Sequence, residues 1–96
     1  RARLDAAGLM VQKAAWKLDQ GMSCGTEANM AKWLAAEAGF YAADAAMQTH
    51  GGFGYAREYH VERYWREARL MKLAPISQEM ILNFISEHEL GLPRSY

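Results

Sequence analysis

The stretch Gln48-Thr49-His50-Gly51-Gly52-Phe53-Gly54-Tyr55 carries the residues whose spacing is best suited to chemistry. Glycine takes left-handed backbone angles at no steric cost, so the run can simply end a helix and turn the chain. It can equally bare the backbone. N–H groups without side chains can approach phosphate oxygens or another chain closely, and the Gln48 amide can add a hydrogen bond. The run is not a dinucleotide fingerprint, because that motif follows a strand and opens a helix, whereas here an alanine-rich helical segment precedes it.

Other candidate chemistries fail on spacing. A carboxylate-bridged di-iron bundle needs Glu three residues before His, and the positions before His50, His60 and His88 are Met47, Arg57 and Ile85. Paired zinc histidines one turn apart are missing, so no metal is expected. Cys24 has no basic neighbour in sequence to activate it as a nucleophile. His88 reads as a core-edge histidine, and Trp16, Trp33 and Trp65 as packing anchors.

The elements that must position these residues read as helices throughout. From Arg1 to Gln20, apolar residues recur at Leu4, Ala7, Val11, Ala14 or Ala15 and Leu18, and Gly21 follows as a left-handed cap. Arg3, Asp5, Lys13, Lys17 and Asp19 lie largely off that stripe. A second helix spans about Cys24 to Thr49, capped by Ser23 or Thr26, with Met30, Trp33 or Leu34, Tyr41 and Ala45 as its buried stripe. Asp44 and Gln48 lie near that stripe and need partners if buried; otherwise they form a wet helix edge. A shorter helix is predicted over Val61 to Lys72. A last one runs from Pro75, suited to a first turn, to Leu90, burying Met80, Ile81, Phe84, Ile85 and His88. Gly91 and Pro93 close it. No alternating strand pattern appears, so the fold class is all-α, a bundle of three long helices plus one short helix.

The 96 residues allow a single domain, 1–96. A start at arginine, already inside a helical pattern, is read as a fragment of a longer protein. Eleven basic and eleven acidic residues balance, so neither nucleic acid nor an anionic membrane is an expected partner. No apolar run is long enough to span a bilayer. A lone Cys24 fits a reducing, cytoplasmic setting.

The ordered combination AMQTHGGFGYAREYHVERYWREARL resembles the carboxy-terminal helical domain of the acyl-CoA dehydrogenases. The matching positions are Gln48, Gly51, Gly52, Gly54, Tyr55, Val61, Glu62, Arg63, Arg66, Glu67 and Ala68, and AAWKLDQG resembles an earlier helix end of the family. The resemblance covers essentially the whole chain. It implies an FAD-dependent oxidoreductase that dehydrogenates acyl-CoA thioesters between the α and β carbons, in a parent with further domains. It also implies self-association as a dimer or tetramer. Gln48, Thr49, His50, Gly51 and Gly52 would then meet the FAD pyrophosphate of a neighbouring subunit. Ser77 would stand where a family threonine touches the flavin. The chain departs from the family at the catalytic base, since that position falls on Pro75, which cannot take a proton. Glu79 is the nearest carboxylate, about one helical turn later, and no catalytic residue is assigned. The alternative to an enzyme domain is a non-catalytic helical module that uses the same surfaces for self-association.

Overall fold

The fold is organised around one long helix. A computed structural model describes residues 1–94. Its helices are α1 (Ala2–Asp19), α2 (Gly25–His50), α3 (Gly52–Tyr55), α4 (Val61–Leu70) and α5 (Gln78–His88), and there is no strand among the described residues. Helices α1, α4 and α5 each pack on α2, while α3 sits at the end of α2 against α4. The alanine content of α2 explains this arrangement. Alanine favours helix and leaves a thin cylinder that neighbours can approach from several sides. The buried apolar residues are accordingly Ala7, Ala31, Ala36, Ala38 and Ile81.

Wrapping α2 from several directions changes which stripes are inside. On α1, Ala7, Met10, Ala14 and Lys17 share the face toward α2, whereas Leu4, Val11 and Leu18 are more than half exposed. The expected α1 stripe thus splits in two, because its small members seat on α2 and its large ones stand aside. Lys17 belongs to the inward face rather than to the solvent edge. Its Nζ lies 2.8 Å from Glu27 Oε1, with Lys13 Nζ at 3.3 Å. Glu27 is buried, and the Lys17 ammonium, ahead of its own backbone N–H and Lys13, holds its carboxyl below the ordinary carboxylate value against the opposing effect of burial. On α2, Tyr41 is exposed and takes the Arg3 guanidinium over its ring at 3.9 Å, so it is not part of a buried stripe; Ala45 is exposed too.

Helix ends differ from expectation in instructive ways. Gly21 and Gly91 take left-handed φ of 68° and 63°, as their positions after helix ends require. Helix α2 opens at Cys24 with no side-chain cap, rather than at a capping Ser23 or Thr26. Helix α5 begins at Gln78 and not at Pro75. Ser77 is its N-cap, with Oγ accepting from the Met80 N–H at 3.4 Å, and Pro75 lies in the preceding loop after a cis peptide. That start places Ile81 inside at 1% exposure, with Phe84 and Ile85 half-buried beside it. Met80, rotated about 100° from Ile81, is exposed, as is His88, which stacks on Phe84 with ring centroids 4.0 Å apart.

Candidate functional site

The end of α2 builds the glycine segment. Thr49 Oγ1 donates to the Ala45 carbonyl at 2.8 Å, and His50 Nδ1 donates to the Ala46 carbonyl at 2.8 Å. Both side chains are thereby turned back along the helix, each bonding the carbonyl four residues earlier beside the helix's own hydrogen bond. Gly51 then breaks the helix with φ 57° and ψ −139°, and its N–H closes on the Gln48 carbonyl at 3.2 Å. The chain does not stay irregular. Gly52 opens the one-turn helix α3, an element the sequence reading did not contain.

The three glycines have three different reasons. Gly51 is required by its backbone angles. Gly54 is buried because α3 lies directly on α2: a Cβ there would stand 2.8 Å from the Met47 carbonyl oxygen and 3.2 Å from Met47 Cα. Gly52 has neither constraint, since its φ is not positive and nothing lies within 4 Å of a Cβ built on it. Among the described residues, the N–H groups of Gly52 and Phe53 have no backbone acceptor. The neighbouring Gln48 is exposed, and among the described residues its amide has no partner. Open space, unpaired N–H groups and a free carboxamide meet at one exposed corner. Asp44, one turn earlier, has its partner: Trp65 Nε1 donates to its Oδ1 at 2.8 Å and fastens α4 to α2.

A second group lies on the loop joining α4 to α5. Pro75 and Ile76 are exposed and Ser77 is half-buried. Glu79 is exposed in the first turn of α5. Its carboxyl is held below the ordinary value by its own backbone N–H and then by the Ser77 hydroxyl, which makes it a weaker proton acceptor. Beneath the loop sits a polar cluster that sequence reasoning missed. Lys32 Nζ donates to the Ile76 carbonyl at 2.7 Å and to Gln78 Oε1 at 3.2 Å. Gln78 Nε2 donates to the Trp33 carbonyl at 3.2 Å and to Glu37 Oε1 at 3.1 Å. Lys72 Nζ pairs with the same Glu37 oxygen at 2.8 Å, and this contact, followed by Gln78, depresses the Glu37 carboxyl. The signal in the sequence was the pair Lys32 and Glu37, charged residues inside an otherwise alanine-rich helix. Lys32 also lines an apolar cleft of about 210 Å³ between α2, α4 and the loop, with Ala36, Gly39, Phe40, Ala68, Met71 and Pro75 among its other walls.

The two groups are not brought together within one chain. Gln78 touches α2 at Trp33, and Gln48 lies fifteen residues further along that helix, about 20 Å at the helical rise. Gln48, Thr49, His50, Gly51 and Gly52 form one cluster, and Ser77 with Pro75 and Glu79 another. Among the described residues no group of three metal-ligating side chains converges, and no helix is long and apolar enough to cross a membrane.

Residues 1–90 match the family described as acyl-CoA dehydrogenase, C-terminal domain. The chain belongs to this family. It is 50% identical over 95 residues to acyl-CoA dehydrogenase FadE12 of Mycobacterium tuberculosis, covering 97% of this chain and 24% of that protein. It is 42% identical over 71 residues to 3-(aryl)acrylate reductase of Clostridium sporogenes, covering 74% of this chain and 19% of the reductase. Butyryl-CoA dehydrogenase from Megasphaera elsdenii superposes with a TM-score of 0.84 at 30% identity, over 95% of this chain and 24% of that one. The chain thus spans about a quarter of the length of the relatives it matches. The all-helical architecture agrees with that family, and relatives are named for oxidoreductase activity.

Proposed function

We propose that the chain is the carboxy-terminal domain of an FAD-dependent oxidoreductase that dehydrogenates acyl-CoA thioesters between the α and β carbons. In this reading it is one part of a longer, self-associating cytoplasmic protein of fatty acid metabolism. The supporting observation is the corner at Gln48 and Gly52. A phosphate-bearing group needs N–H donors with no side chain in the way, and Gly52 offers open space beside two unpaired N–H groups and the free Gln48 amide. The donor set therefore fits the pyrophosphate of FAD. Thr49 and His50 act differently: the Thr49 hydroxyl and His50 Nδ1 bond the carbonyls of Ala45 and Ala46, so these two groups shape the corner rather than donate from it.

When bound, FAD supplies the two-electron oxidant for the Cα–Cβ bond of the acyl-CoA. The residues of this chain orient it. Gln48 and Gly52 address its phosphates, and the Ser77 hydroxyl, on the separate cluster about 20 Å away along α2, addresses another part. That separation suits a cofactor held between two chains, each contributing one cluster. Pro75 holds no proton, so this loop provides no base at the family position, and the exposed, acidified Glu79 is poorly suited to replace it. No residue of this chain is assigned as the base for the α proton. The test is the full-length parent. It should purify with FAD and oxidise an acyl-CoA, and Gln48→Leu should weaken FAD retention without loss of helix content. A parent without flavin, or one that keeps it unchanged in the Gln48 variant, would overturn the assignment of this corner.

A further inference from the structure

Both ends of the α4–α5 loop are pinned to one carboxylate oxygen. Lys72 closes α4's trailing turn and Gln78 opens α5, and the backbone joins them directly, the Gln78 N–H donating to the Lys72 carbonyl at 3.2 Å. Their side chains then converge on Glu37 Oε1, Lys72 Nζ at 2.8 Å and Gln78 Nε2 at 3.1 Å. Gln78 is 5% exposed. Its carboxamide has two N–H donors, given to Trp33 and Glu37, and an oxygen that accepts from Lys32. Lys32 also donates to the Ile76 carbonyl in the middle of the loop at 2.7 Å. Every tie leads to one stretch of α2, residues 32–37.

We propose that Glu37 is a positioning residue: it clamps the two ends of the loop and, with Lys32, fixes the presentation of Pro75 and Ser77 toward the reaction site. The statement that this presentation serves catalysis rests on the function proposed above; the clamp itself does not. The physical case is one of shared acceptors. A charged oxygen that takes two donors strengthens both bonds relative to neutral pairs. Removing it leaves the nearly buried Gln78 N–H and the Lys72 ammonium uncompensated at the same point. The ties replace packing that is missing here, since the loop residues Met71, Leu73 and Ile76 are each about half exposed. Without the Glu37 oxygen the loop keeps the Lys32 bond to the Ile76 carbonyl and the Gln78 bond to Trp33, but its two ends lose the acceptor they share.

The experiment compares Glu37→Leu with Glu37→Gln in the full-length parent. The glutamine keeps an oxygen acceptor of the same shape, while the leucine removes it. Amide hydrogen exchange at Leu73, Ala74 and Gln78, whose N–H groups close the loop on Leu70 and Lys72, should speed up about tenfold or more in Glu37→Leu. It should be restored in part in Glu37→Gln, which keeps the acceptor but not its charge, and amides of α1 should be unchanged in both. In the same proteins, turnover of acyl-CoA should fall in Glu37→Leu with KM little altered and recover in part in Glu37→Gln. Unchanged loop exchange, or faster exchange spread evenly over α1 and α2, would overturn the clamp. A loosened loop with unchanged turnover would make Glu37 a brace and overturn its positioning role. A wild-type parent with no flavin and no turnover would instead remove the functional reading and the positioning role with it, and the exchange data would still decide the clamp.

Discussion

The glycine segment makes a sharp prediction, because its glycines should respond in opposite directions to the same added methyl. In Gly54→Ala the new Cβ meets the Met47 carbonyl oxygen at 2.8 Å and Met47 Cα at 3.2 Å. Both are backbone atoms of α2 and cannot rotate away. Overpacking of this kind costs about 1–3 kcal/mol, and alanine's better helix propensity returns about 1 kcal/mol; contact with two fixed backbone atoms puts the cost toward the upper end, for a net loss of up to about 2 kcal/mol. In Gly51→Ala the methyl meets no atom, but φ 57° with ψ −139° is a region that residues with a Cβ avoid. The cost there is about 1–3 kcal/mol. In Gly52→Ala neither penalty applies, and the restricted unfolded chain should leave stability equal or raise it by about 0.5–1 kcal/mol. The assay is thermal unfolding of the full-length parent beside FAD titration. A long multidomain chain does not unfold in one step, so the order of the variants is read rather than an absolute free energy. Gly52→Ala should match or exceed wild type in unfolding temperature, with Gly51→Ala and Gly54→Ala below it. Gly52→Val, which fills the open corner, should lose FAD affinity while keeping its helix content. If Gly54→Ala is as stable as wild type, the close packing of α3 on α2 is wrong. If Gly52→Val binds FAD normally, the corner is a turn and not a site.

The 96-residue chain alone should not retain FAD, because one glycine corner offers few hydrogen bonds, each worth about 1 kcal/mol net; a stoichiometric flavin spectrum from the purified chain would refute this. The same chain should self-associate, since Leu4, Val11, Leu18 and Tyr41 are each more than half exposed and open apolar patches above a few hundred Å² are rare on monomers. Light scattering should give a dimer or larger, and Val11→Glu with Leu18→Glu should return it to monomer. The Lys72–Glu37 pair should make stability pH-dependent. The Lys72 ammonium holds the Glu37 carboxyl below the ordinary carboxylate value in the folded chain, so the contribution is present above that ordinary value and is lost as pH falls through the folded value. The stability gap between wild type and Lys72→Met should therefore shrink on acidification; a constant gap would show that the pair contributes nothing through charge.

Much of this was open to reading from residue order alone, and the reasons for the rest are physical. Helical periodicity and the caps at Gly21 and Gly91 located the main helices, because local backbone preferences set those features. Inside and outside were harder. A stripe such as Leu4, Ala7, Val11, Ala14 or Ala15, and Leu18 assumes one partner on one face, whereas α2 is approached from several sides and α1 meets it through its small residues. Which apolar side chains are covered then depends on where neighbours lie, and periodicity does not carry that. Pro75 misled for a related reason. Its fixed φ suits a helix start, but Ser77 can accept a backbone N–H, and the side-chain cap marks where α5 begins.

The glycine run shows how far composition reaches toward a site. Three glycines near one helix end looked like one feature with one purpose. The fold separates them into a backbone requirement at Gly51, a packing requirement at Gly54 and an unconstrained position at Gly52. Only the last is free of a structural reason, so only there does a functional one carry weight. The loop argues the same way in reverse. Pro75 and Ser77 drew attention by where they fall in a family pattern, yet what holds them in place is Glu37, forty residues upstream of Ser77. A single carboxylate on α2 joins the trailing end of α4 to the start of α5. No local pattern announces such a residue, because its partners meet only after the chain has folded back across its longest helix.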